Sequence, residues 1–96
     1  MASEDERKVK IEFCNMPLDL KMKAIDFVKN KYAQSSKHTV PDVTLARELK
    51  SHFDEFFHAT WQCIVGKNFG SEIGYESGFM IYFYIGATAI LLWRCG

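Results

Sequence analysis

The run from Phe79 to Trp93 constrains the fold more than any other part of the chain, because its fifteen residues include no ionisable side chain except tyrosine. A helix needs roughly 20 apolar residues to cross a bilayer, so this run is too short to span one. Gly86 divides it, and the aromatic and branched residues on either side suit buried strands. The pattern predicts a hairpin, Phe79 to Ile85 and Thr88 to Arg94, joined by a tight turn. Upstream, Trp61, Cys63 and Val65 fall on one face of a strand, with Gln62 and Ile64 on the other. Trp61 to Gly96 therefore reads as three or four short strands punctuated by glycine.

The first sixty residues read differently. Val9-Lys10-Ile11-Glu12-Phe13 alternates apolar with charged residues, the period of a half-buried strand at or beside a sheet edge. After Asn15 and Pro17, the residues Leu18, Met22, Ile25, Val28 and Tyr32 recur at helical spacing between charged residues, which predicts an amphipathic helix. Lys29 and Lys31 near its end complement the helix dipole, and the polar run Gln34 to His38 stops it. Thr39 and Asp42 have the spacing of a helix start, with Pro41 tolerated in the first turn. Leu45, Leu49, Phe53 and Phe56 then form the stripe of a second helix to about Phe57. The order β, α, α, then β strands predicts an α+β domain, with both helices on one face of an antiparallel sheet.

With 96 residues there is room for one core. Residues 1–8 read as a solvated, flexible tail and 9–96 as a single domain. Twelve basic residues balance twelve acidic ones, so the one-sided positive field that nucleic acid or an anionic membrane would need is missing. The acidic N-terminus lacks the layout of a signal peptide, which points to a reducing, cytosolic setting. Cys14, Cys63 and Cys95 are an odd set without C-x-x-C spacing, and His38, His52 and His58 include no ligand grouping, so neither disulfides nor a metal or other cofactor is expected. The histidines read as solvated surface residues. Cys63 reads as a small buried apolar residue, and Trp61 and Trp93 as core or interface. Phe69, Tyr82 and Tyr84 read first as ordinary strand core.

At W-Q-C-I-V-G-K-N-F-G-S and F-M-I-Y-F-Y-I-G-A-T-A-I-L-L-W-R-C-G the sequence closely resembles the eight-kilodalton-class dynein light chains. The likeness is nearly continuous from Thr60 to Gly96. It implies a strand-exchanged homodimer in which the strand after N-F-G-S crosses to the partner's sheet. It also implies that short extended segments of client proteins, dynein intermediate chain among them, add as strands along the crossing strand. The groove residues so implied are Lys67, Asn68, Phe69, Gly70, Ser71, Glu72, Ile73, Gly74 and Tyr75, with Tyr82, Tyr84 and Ala89 on the floor. Gln62 and Cys95 are implied at the dimer interface. The role implied is a non-catalytic light chain of a cytoplasmic, microtubule-based motor.

Three departures from that family's pattern bear on clients. Gly74-Tyr75 stands where members usually carry Thr-His. Asp42-Val43 stands in place of a Glu-Lys pair at the start of the second helix, whose end N–H groups receive a client glutamine and can still serve as orphan donors. The segment Ala33 to Val40 is longer than usual and the first helix shorter. Residues 67–75, being less apolar than their neighbours, independently suit an edge strand open to pairing. Three rival readings remain: a scaffold that acts apart from any motor, a membrane-associated protein inserting Phe79 to Trp93, and a small enzyme using Cys63 or a histidine.

Overall fold

Gly86 makes the turn on which the sheet is built. Ile85 pairs with Thr88, leaving Gly86 and Ala87 as a two-residue loop, and Gly86 takes φ 59°. A positive φ at the first loop position is what the favoured hairpin turns require, and glycine adopts it without a Cβ clash. The structure, a computed structural model, describes residues 8–35, 40–57, 59–67 and 79–95. Its elements are β1 (Val9–Cys14), α1 (Leu18–Gln34), α2 (Asp42–Phe56), β2 (Thr60–Gly66), β3 (Met80–Ile85) and β4 (Thr88–Cys95). The strands form one antiparallel sheet in the order β1-β3-β4-β2, which puts β1 and β2 at its edges.

Both helices lie against one face of that sheet, as the sequence predicts. Leu20, Ala24, Ile25, Val28 and Tyr32 of α1, with Leu45, Leu49 and Phe53 of α2, pack on Trp61, Ile81, Phe83, Ile85, Ile90 and Leu92. Trp61 is held by its rings. Phe53 meets it at 4.8 Å between centroids and Phe57 at 6.4 Å, while its buried indole Nε1 has no hydrogen-bond partner among the described residues.

The helical stripes differ from the expected ones in their outer members. Leu18 is 69% exposed and Met22 44%, and Leu20 and Ala24 take the buried positions. Phe56 is 58% exposed. Its ring stacks at 4.7 Å on His52, which also stacks at 4.7 Å on Phe27 of α1. His52 is thus a packed residue between the helices and not a solvated one. The α1 stripe turns because the buried face of a helix is broader than one residue per turn, so spacing alone cannot choose between adjacent apolar positions. At the start of α2, Pro41 is the capping residue and supplies no side-chain cap, and Thr39 lies outside the described residues.

The strict alternation read in β1 also fails at one point. Ile11 pairs with Phe83 but Phe13 pairs with Tyr82, so a β-bulge intervenes at Glu12. The extra residue reverses the faces beyond it. Val9 and Ile11 pack on the helix side, while Phe13 joins the opposite face.

Between α2 and β2 the chain is pinned by one carboxylate. Asp54 Oδ1 accepts the Trp61 backbone N–H at 2.7 Å, and its Oδ2 pairs with Lys50 one turn back. The Lys50 ammonium hydrogen-bonded to it holds the Asp54 carboxyl below its ordinary value, with partial burial opposing and the Trp61 N–H helping. A second ion pair, Lys31 to Glu48 at 2.9 Å, joins α1 to α2.

The two phenylalanines of α2 should separate cleanly in urea or thermal denaturation. Phe53→Ala empties a fully buried site and should cost about 3–5 kcal/mol, whereas Phe56→Ala should cost under about 1 kcal/mol. Equal losses would contradict the helix orientation. A pH series tests the carboxylate. Because the folded-state pKa of Asp54 is depressed, its contribution is present above the unfolded value and is lost as pH falls through the folded one. Wild type should therefore exceed Asp54→Asn in stability at neutral pH, with the difference shrinking below about pH 4 and in high salt.

Candidate functional site

The sheet face turned away from the helices is the first component of the site. The cross-strand register lays it out in rows: Gln62, Trp93 and Met80; then Ile64, Leu91, Tyr82 and Phe13; then Gly66, Ala89, Tyr84 and Lys10. Met80, Tyr82, Ala89 and Leu91 are buried at its centre, with Phe13, Tyr84 and Trp93 packed around them. The period of two puts every second residue of β3 and β4 here, and because both faces of those strands are apolar, the face is hydrophobic without any helix upon it. The Tyr82 and Tyr84 hydroxyls lie 3.3 Å apart, the polar end of an otherwise apolar surface. Ile64, 45% exposed, sits where this face meets the β2 edge.

The second component is that edge. Trp61 directs its N–H at Asp54 and its pairing partner Arg94 directs its own N–H at the Phe79 carbonyl, 2.9 Å away. Trp61 and Arg94 are therefore a non-hydrogen-bonded pair, whose main-chain groups point away from each other. Alternation then sends the N–H and C=O of Cys63 and Val65 outward as well. Among the described residues no strand lies on that side of β2. The outer side of β2 offers a short ladder of donors and acceptors.

Of the residues named from sequence, the structure brings Tyr82, Tyr84, Ala89 and Gln62 together on the helix-free face. Gln62 is half-buried beside Trp93. Cys95 is exposed at the far end of β4, opposite Thr60. Lys67 is exposed just beyond β2. Asn68, Phe69, Gly70, Ser71, Glu72, Ile73, Gly74 and Tyr75 lie outside the described residues, as do His38 and His58. At the α2 N-terminus, Val43 is exposed and, among the described residues, no side chain caps the first turn.

Two features escaped the sequence reading. Asp54 carries no signal beyond its i, i+4 spacing to Lys50, which any surface helix can show. The aromatic contact of Phe27, His52 and Phe56 borders a cavity of about 420 Å³ between α1 and α2, lined in part by Met22 and Asp26. Its described lining includes none of the site residues that the resemblance implied. Cys63 faces the helix side, and burial pushes its thiol up to about 12. A thiol raised in this way stays protonated at neutral pH and is a poor nucleophile. No helix among the described residues is long and apolar enough to cross a membrane, and Phe79 to Trp93 forms the β3–β4 hairpin where the sequence put it.

The sequence matches the family described as Dynein light chain type 1 over residues 8–95. It is 38% identical over 96 residues to the "Dynein light chain, cytoplasmic" of Emericella nidulans, with 98% of each chain covered. Among solved structures, the dynein light chain-like domain of the Fasciola hepatica calcium binding protein FhCaBP2 superposes with a TM-score of 0.75 at 16% identity, covering 100% of this chain and 99% of that one. The DLC-like domain of CsTAL3 gives 0.68 at 22% identity, over 90% of each chain. The last two likenesses speak for the fold, with its helices on one side of a four-stranded sheet. The first two go further, and with them the chain belongs to the dynein light chain family.

Proposed function

We propose that this protein is a non-catalytic, dimeric hub that binds short linear motifs of other proteins by strand addition, and that it serves as a light chain of a microtubule-based dynein motor in the cytoplasm. The observation that carries the proposal is the pairing of a β2 edge beyond which no strand lies among the described residues with an apolar sheet face to which neither helix contributes. An unpaired edge recruits a strand through its main-chain donors and acceptors. The apolar face suits the same face of a second copy, which a two-fold dimer would supply.

In this arrangement Lys67 to Tyr75 cross to the partner and form the groove, with Tyr82, Tyr84 and Ala89 behind them, while Gln62 and Cys95 lie at the subunit contact. The uncapped N-terminal turn of α2 offers orphan N–H groups to a client side chain. The motor role rests on family membership and on the fungal relative's description as a cytoplasmic dynein light chain. Dynein intermediate chain is the client that role calls for.

Calorimetry with a peptide carrying a Thr-Gln-Thr core, of the kind intermediate chains would present, tests the groove. One peptide per subunit should bind. The affinity should rise by up to about tenfold in a Gly74→Thr, Tyr75→His variant, because a restored polar contact in a closed groove is worth about 1 kcal/mol. No binding to either form would overturn the proposal, and equal affinities would remove residues 74 and 75 from recognition.

Sedimentation tests the dimer. Wild type should be dimeric at micromolar concentration and should stay so in mild acid, since Gln62 cannot charge. In Gln62→His the imidazole would be buried on association, which lowers its pKa in the dimer below about 6.5, so the dimer should weaken as pH falls through that value towards about pH 5. Matching profiles for the two proteins would place residue 62 outside the interface. A monomer at every micromolar concentration would remove the hub.

A further inference from the structure

A strand that adds to β2 has a register to choose, and the hydrophobic pattern fixes only half of the choice. A slip by one residue turns every side chain to the wrong face, but a slip by two keeps each on its own face. Something else must stop the strand from sliding along the edge towards Thr60. We propose that Asp54 is that stop. Its carboxylate occupies the first outward N–H of the edge, so an added strand from a second copy of this chain can pair only from Cys63 onward. The inference rests on the strand-addition reading above.

Three observations carry it. Asp54 Oδ1 already accepts the Trp61 N–H at 2.7 Å, so that donor is spent within the chain. Lys50, one turn earlier on α2, pairs with Oδ2 and holds the carboxylate in this rotamer. The register of β2 on β4 makes Trp61, Cys63 and Val65 the successive outward positions, with Trp61 the first. A strand slipped by two residues would bring a backbone carbonyl to Trp61, where it would find no donor and would meet a carboxylate at close range. Two acceptors facing each other with no proton between them repel, and the incoming carbonyl would lose its water for nothing. An edge blocked by an inward-turned charge is a known way to control pairing. Here the charge blocks one rung and leaves the next two open.

The test follows amide exchange of wild type by mass spectrometry with residue-level fragmentation, at concentrations above and below dimer dissociation. If Asp54 is the stop, the Trp61 amide belongs to the monomer and its exchange should change by less than about threefold on dilution, while the Cys63 and Val65 amides should be slowed at least about a hundredfold in the dimer alone. Trp61 protection lost on dilution together with that of Cys63 and Val65 would mean that the added strand takes the Trp61 donor, which overturns the inference and leaves strand addition standing. A Trp61 amide protected throughout, with no gain at Cys63 and Val65 on association, would instead defeat strand addition and the inference with it. Intermolecular nuclear Overhauser effects in a mixed-label dimer then read the register itself. Wild type and Asp54→Asn, which keeps an acceptor for Trp61, should each show one register, and Asp54→Ala a second one offset by two residues. A single unchanged register in a folded Asp54→Ala dimer would also overturn the inference. Should Asp54→Ala fail to fold, the wild-type exchange comparison decides alone.

Discussion

A sheet with two apolar faces has to be covered twice, and α1 and α2 cover only one face of this one. On the helix side, Ile81, Phe83 and Ile85 of β3 and Ile90 and Leu92 of β4 are buried under Leu45, Leu49 and Phe53. On the other side, Met80, Tyr82, Ala89 and Leu91 gather in a second cluster to which neither helix contributes. Those four are no more than 7% exposed, so what this face still presents is its partly buried rim of Phe13, Tyr84 and Trp93 and the 45% exposed Ile64. Much of the rest follows from that imbalance. Among the described residues no strand lies beyond β1 or β2, and the helices occupy one side only.

How α2 meets β2 determines what the edge can offer. The helix ends at Phe56, and only Phe57, His58 and Ala59 separate it from the strand. So short a connection brings the last turn of α2 close to the start of β2, where Asp54 can reach the Trp61 amide and Phe53 can pack on the Trp61 ring. One residue thereby joins the helical layer to the sheet through its side chain and its main chain together. The ion pair behind it is partly exposed and adds little by itself. Its value lies in orientation, because an Asp54 carboxylate free to rotate would leave the buried Trp61 N–H without a partner for part of the time, and an unmet buried donor costs about 1–3 kcal/mol.

The parts of this architecture that were legible in the sequence are those set by local chemistry. The hairpin could be read because Gly86 interrupts a run that is otherwise all strand formers, and a two-residue turn needs such a residue there. The faces of β2 could be read because Trp61, Cys63 and Val65 alternate with Gln62 and Ile64 without interruption. The failures occurred where a long-range contact overrode a local pattern. Phe13 sits two residues beyond Ile11 and belongs by period to the same face, yet the bulge at Glu12 sends it to the other, and nothing in V-K-I-E-F marks the position of that extra residue. Phe56 continues the spacing of Leu45, Leu49 and Phe53, but α2 ends there and the core has already been filled by Trp61 and Phe57. Asp54 looks like any surface acid until the strand that follows returns beside it. Tyr82, Tyr84 and Ala89, which the resemblance implied for a groove floor, share one face because they lie on two adjacent strands whose register the turn dictates.

The chemistry available at this site is that of hydrogen bonds and apolar contact. The one thiol near the edge, Cys63, faces inward and is held protonated by its burial, so it packs as a small apolar group. The outward groups beside it are peptide N–H and C=O, which every partner chain can satisfy equally well. Under the proposed strand addition, main-chain pairing would supply affinity with little discrimination, and selectivity would come from the side chains that border the added strand. Here Tyr84 and Lys10 form one cross-strand pair on the helix-free face, and the Tyr82 hydroxyl lies next to that of Tyr84. A partner with a polar group opposite the two phenols and apolar groups opposite Leu91 and Met80 would match the surface row by row. A partner that reversed that order would set apolar groups against the phenols and polar ones against Leu91 and Met80, a mismatch that the identical backbone ladder would not correct.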